Sequence, residues 1–141
     1  MTGSPTEWGN KFGRETAVVN VHSYTHYCSG VKHGVDYVAL SYVGSPADIL
    51  ELREEIRKYD VEIPIIAKIE RKEALENINE IIEVSDAIMI ARGDLGEAMP
   101  LEKMPFIERM LIRKAKEVNM PVITATQMML SMTQNPQPTR A

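Results

Sequence analysis

From Val31 onward, short apolar runs alternate with longer stretches in which apolar residues recur at helical spacing. The runs Val35 to Val43, Ile63 to Lys68, Ala87 to Ala91 and Val122 to Ala125 predict four strands. The third of them is uninterrupted by polar residues, as a parallel strand covered on both faces requires. A first helix opens at Ser45-Pro46-Ala47-Asp48, with Ser45 as cap, Pro46 in the first turn and Asp48 reaching back. Its core face carries Ile49, Leu52 and Ile56, and Lys58-Tyr59-Asp60 ends it. A second helix covers about Lys72 to Val84, with Ala74, Leu75, Ile78, Ile81 and Ile82 on one stripe. A third covers about Leu101 to Val118, with Pro100 and Pro105 in its first turns and Ile107, Leu111, Ala115 and Val118 on its stripe. Asn119 is placed to stop it in a left-handed conformation before Pro121. Met128 to Met132 starts a further helix, which Asn135, Pro136 and Pro138 terminate.

The order β-α-β-α-β-α-β describes a run of right-handed crossover units, hence an α/β fold with about four parallel strands. An eight-stranded barrel needs about 250 residues, so four strands make half of one, with unpaired outer edges. A fragment, half of an assembled pair and a small open sheet all fit that pattern. Residues 1–29 show no amphipathic period. Apart from the β-branched run Ala17 to Val21 they hold scattered glycine, polar and aromatic residues and are expected to be loosely ordered. The division is therefore an N-terminal segment of residues 1–29 and a domain of residues 30–141.

Composition narrows the classes. Of 141 residues, 44% are hydrophobic and 26% charged, as in an ordinary globular domain. Net charge is −4, from 16 basic and 20 acidic residues spread along the chain. No clustered basic face points to nucleic acid, although a local field can still hold an anion. The single cysteine, Cys28, excludes an intramolecular disulfide and fits a reducing compartment. No apolar run approaches the roughly 20 residues of a membrane span, and Met1 to Gly13 has no signal-type hydrophobic stretch. Cytosol is the expected location.

Candidate chemistry gathers at one end of the expected sheet. Lys68-Ile69-Glu70, Ala91-Arg92-Gly93-Asp94-Leu95-Gly96 and Ala125-Thr126-Gln127 each follow an apolar run, so all three lie where α/β folds build active sites. Lys68 and Glu70 are two apart and share a face with Ile66, on the inner side of a curved sheet. They suit an anionic substrate and a metal ion, or form an ion pair that closes a strand end. Gly93 admits close approach of a ligand, and successive amides in a turn there can hold a carboxylate or phosphate oxygen. Glu70 and Asp94, on neighbouring strands, can share a hard cation such as magnesium; alternatively Asp94 caps the turn. Thr126 can position a substrate or relay a proton, or is a structural threonine. Arg92 can bind an anion or pair with a carboxylate such as Glu70. His22, His26 and Cys28 have a zinc-like spacing without a fourth ligand, and the nine methionines read as core filler.

At these positions the chain resembles the pyruvate kinase family. The blocks are Ile65-Ile66-Ala67-Lys68-Ile69-Glu70, Ser85-Asp86-Ala87-Ile88-Met89-Ile90-Ala91-Arg92-Gly93-Asp94-Leu95-Gly96, Pro121-Val122-Ile123-Thr124-Ala125-Thr126-Gln127-Met128 and Asn135-Pro136-Gln137-Pro138-Thr139-Arg140-Ala141. Their order and spacing match from about Gly30 to the end. The resemblance implies a partial TIM (β/α)8 barrel whose four strands are the family's fourth to seventh. It implies phosphoryl transfer from phosphoenolpyruvate to ADP, giving pyruvate and ATP in glycolysis, with Mg2+ and K+ as cofactors, in the cytoplasm. It implies no nucleic-acid or membrane partner, and a homotetramer in the full-length form. Lys68 would stabilise the phosphoryl group in flight, and Glu70 and Asp94 would ligate magnesium. The amides of Gly93 and Asp94 would hold the substrate carboxylate, and Thr126 would lie near the enolate carbon that is protonated.

The departures are as specific. The arginine, asparagine, serine and aspartate that the family's first three strands bring to the phosphate and potassium sites have no counterpart here. The inserted lid domain, the eighth strand and the carboxy-terminal domain have none either. Gly96-Glu97-Ala98-Met99-Pro100 replaces Gly-Val-Glu-Ile-Pro, so Ala98 stands where a glutamate is expected. Gly44 stands where a basic residue is common, and Ala141 falls within a motif. A truncated, non-catalytic fragment or interaction module of the same family is therefore the alternative. An aldolase-like lyase also uses a glutamate and an aspartate with magnesium, but the Lys68 and Thr126 blocks favour phosphoryl transfer.

Overall fold

A computed structural model of the chain describes residues 17–22, 31, 34–125, 128 and 130–136. Five parallel strands lie side by side in sequence order: β1 (Val18–Val21), β2 (Tyr37–Leu40), β3 (Ile65–Ile69), β4 (Ala87–Ile90) and β5 (Val122–Thr124). The fold is α/β, and parallel strands lying side by side in sequence order are what the expected partial barrel requires. The sheet holds one strand more than the apolar pattern predicts. Residues 18–21 were expected to be loose, yet β1 runs in register with β2, from Val18 opposite Tyr37 to Val21 opposite Leu40. Its order comes from that neighbour's hydrogen bonds and from the burial of Val21, neither of which leaves a local periodic signal.

Among the described residues, α-helices follow β2, β3 and β4 and cover one face of the sheet. Helix α1 (Pro46–Arg57) begins with the expected capping box: Asp48 Oδ2 accepts from the amides of Ser45 at 2.8 Å and Gly44 at 2.9 Å. Ile49, Leu52 and Ile56 are buried as its spacing requires. The single helix expected over residues 72–84 is two, α2 (Lys72–Glu76) and α3 (Ile78–Val84), interrupted at Asn77. The Asn77 side-chain amide donates to the Gly44 carbonyl at 2.8 Å, so it serves the loop after β2.

The expected turn after β4 is itself helical, α4 (Arg92–Ala98), held inward by the fully buried Leu95. A 3-10 turn (Leu101–Lys103) leads into α5 (Met104–Glu117), and Asn119 ends it at φ +56° as its position predicts. Among the described residues after β5, where a further helix is expected to start, there is a 3-10 turn, Leu130–Thr133.

The core lies mainly between sheet and helices. Val38, Leu40, Ile65, Ala67, Ile69, Ile88 and Ile90 meet Leu52, Ile81 and Leu111 there. The opposite face of the sheet carries a smaller cluster of Tyr37, Ala39, Ile66 and Ala87, with Met89 packed against it. Period-two alternation continues that second face to Lys68 and Glu70 at the carboxyl end. At the amino end, Asp86 Oδ2 accepts from the Ile65 amide and from Arg53 Nη2, both at 2.8 Å, joining β3 to α1.

Candidate active site

At their carboxyl ends, β2 and β3 bring three polar groups together: Ser41, Lys68 and Glu70. Ser41 is held by its amide, which donates to the Val21 carbonyl at 2.9 Å, and its hydroxyl accepts from Lys68 Nζ at 2.8 Å. Lys68 Nζ also lies 2.6 Å from Glu70 Oε1; the two side chains are 13% and 2% exposed. The other Glu70 oxygen, Oε2, accepts from the Tyr42 amide at 2.6 Å. Tyr42 reaches that position with φ +58°, a conformation non-glycine residues seldom adopt. Its exposed ring lies 6.0 Å from the ring of His22, at the end of β1.

The ends of β4 and β5 are joined to this group through the backbone. The Ala91 amide donates to the Ile69 carbonyl at 3.2 Å, and the Ala125 amide to the Ile90 carbonyl at 3.1 Å. Arg92 Nε donates to the Ala125 carbonyl at 3.1 Å. Arg92 therefore ties the β4 end to the β5 end, and the cation that pairs with Glu70 is Lys68. Arg92 Nη2 is buried and meets no hydrogen-bond partner among the described residues.

Gly93 and Asp94 occupy the first turn of α4, ahead of the bond from the Leu95 amide to the Ala91 carbonyl at 3.0 Å. Their amides belong to the turn whose N–H groups have no intrahelical acceptor. A Cβ added to Gly93 would meet nothing within 4 Å among the described residues, so the space beside this backbone is open to them. Asp94 is exposed.

Thr126 and Gln127 lie outside the described residues, as do His26 and Cys28. Among the described residues no group of three His, Cys, Asp or Glu side chains is arranged to hold a metal ion. Glu70 and Asp94 are nevertheless oxygen donors of the hard type. Lys68 occupies one Glu70 oxygen and the Tyr42 amide the other, and a carboxylate oxygen has a second lone pair to offer. Magnesium takes one or two carboxylates and completes its shell with water and substrate oxygens, so both residues are of the donor type it uses.

Sequence reasoning identified Lys68 and Glu70 as neighbours on one face and missed the two residues that hold them. The strand expected over Val35 to Val43 takes in both Ser41 and Tyr42. The signal available was a polar residue directly after Leu40, at the same sheet end as the other stretches.

The model of the pyruvate kinase barrel domain matches residues 20–141. A pyruvate kinase of Thermotoga maritima is 53% identical over 112 residues, covering 79% of this chain and 24% of that protein. Pyruvate kinases of Bacillus licheniformis and Geobacillus stearothermophilus are each 50% identical over 113 residues, covering 79% of this chain and 19% of theirs. The chain thus spans a quarter or less of the length of these curated relatives. With its parallel sheet and the polar groups at the strand ends, it belongs to the pyruvate kinase barrel-domain family.

Proposed function

We propose that this chain is the segment of a pyruvate kinase that carries the phosphoryl-handling lysine and the metal-binding carboxylates. The observation that carries the reading is the buried Lys68–Glu70 pair at the carboxyl end of β3, beside the first turn of α4. Phosphoryl transfer demands positioning and charge neutralisation more than covalent chemistry, and the residues at this end supply both. Lys68 places its ammonium against the phosphoryl group as it passes from phosphoenolpyruvate to ADP. The N–H groups of Gly93 and Asp94 hold the substrate carboxylate in the open space beside Gly93. Thr126 orients the proton delivered to the enolate carbon as pyruvate forms. Glu70 and Asp94 would hold Mg2+, which supplies charge neutralisation for substrate oxygens. The family's potassium requirement is assigned to no residue of this chain. A homo-oligomeric, cytoplasmic enzyme is the setting proposed for it. Among the described residues, no helix is long and apolar enough to cross a membrane.

The test is a chimera in which this chain's matched segment replaces its counterpart in the Thermotoga maritima pyruvate kinase, assayed with phosphoenolpyruvate and ADP. Turnover is expected, and Lys68→Met in the chimera lowers it by about 10²–10³-fold. A folded chimera whose turnover is indifferent to Lys68→Met would refute the assignment.

A further inference from the structure

The carboxyl end of β2 holds two groups that turn toward the Lys68–Glu70 pair. Ser41 is 5% exposed and keeps its backbone bond to Val21, so its hydroxyl has little freedom. That hydroxyl is 2.8 Å from Lys68 Nζ. The next residue, Tyr42, takes a left-handed backbone that a tyrosine disfavours, and that turn aims its amide at Glu70 Oε2, 2.6 Å away. A strained residue of this kind persists only where its surroundings hold it, and it clusters at functional sites.

We propose that Ser41 and Tyr42 are positioning residues for the Lys68–Glu70 pair. The Ser41 hydroxyl fixes where the lysine ammonium sits, and the Tyr42 amide fixes the carboxylate that faces it. This role in phosphoryl transfer rests on the proposed pyruvate kinase reading; the positioning itself does not. A lysine side chain has four rotatable bonds and loses much freedom when its end is immobilised. One acceptor leaves the ammonium free to swing about it. Two acceptors, one from each of two neighbouring strands, define its place. They use two of its three donors and leave the third for an anionic group. The carboxylate is fixed in the same way, by Lys68 on one oxygen and Tyr42 on the other.

The experiment compares the 141-residue chain with Ser41→Ala and Ser41→Thr by timed labelling with trinitrobenzenesulfonate, read lysine by lysine in a mass spectrometer. Exposed Lys103 and Lys116 serve as internal references. Loss of an acceptor from a charged donor should raise the Lys68 labelling rate about 3- to 10-fold in Ser41→Ala, with the references unchanged. Ser41→Thr, which keeps the hydroxyl, should restore it to within about twofold. An unchanged Lys68 rate in Ser41→Ala overturns the proposal. If that variant loses its circular dichroism, Ser41→Cys decides instead: it keeps the volume and offers only a weak acceptor. Raised Lys68 labelling there supports the proposal, and unchanged labelling overturns it.

In the chimera, Ser41→Ala should lower kcat about 10-fold while KM for phosphoenolpyruvate moves less than about 3-fold. A filler residue would move melting temperature and leave kcat alone, and an unchanged kcat in an active chimera overturns the catalytic role. An inactive unsubstituted chimera would count against the pyruvate kinase reading, while the labelling still decides the positioning.

Discussion

Three groups are arranged around the buried Glu70 carboxylate: the Lys68 ammonium, the Ser41 hydroxyl that holds that ammonium, and the Tyr42 amide. Removing one member of such a pair strands the other. Lys68→Met should therefore destabilise the chain by about 3 kcal/mol in urea denaturation, and adding Glu70→Gln should recover most of the loss. Lys68 and Glu70 were legible as a pair because side-chain alternation along a strand is local. Ser41 was not, because its contact with Lys68 spans 27 positions and depends on which strands become neighbours. A second residue-scale effect concerns Tyr37, on the smaller cluster. Burial pushes its phenol above the ordinary value near 10, with Asp36 adding to the shift. The folded state then retains a proton that the unfolded state has released. The stability this represents is complete below pH 10 and falls as pH rises through the folded value. Stability curves of Tyr37→Phe should be flatter than the parent's above pH 10.

Among the elements, those with their own end signals were readable from sequence. Asp48 gathers the amides of Gly44 and Ser45 within one turn of chain, and Asn119 stops α5 by its own left-handed tolerance. Asp48→Ala should cost about 1–2 kcal/mol, measured by thermal or urea unfolding, through loss of the cap. The elements misread were those shaped from outside. Strand β1 exists because β2 offers it a ladder, and α4 is a helix rather than a turn because Leu95 is drawn into the core. The break at Asn77 follows from a carbonyl 33 positions away. No window short enough to show periodicity contains those partners. The same limit applies at the site: Gly93 and Asp94 were found by spacing, and their place in the first turn of a helix was not.

For the whole molecule, burial falls from the middle of the sheet to its borders. Four of the five β3 residues are buried, whereas β5 has none buried and β1 has Val21 alone. Amide hydrogen exchange should accordingly be slowest at Ile66 to Ile69 and markedly faster at Val122 to Thr124 and Val18 to Val21. Equal protection across all five strands would contradict that gradient. The fold's general plan was legible because each strand-helix unit repeats the same pattern; the extra strand at the border was not, having little core of its own. The bond from Asn77 to Gly44 reaches across this plan. It yokes the segments that follow two neighbouring strands, so the rim has fewer independent moving parts than it has loops. A molecule that settles against one arc of that rim would quieten the next arc as well.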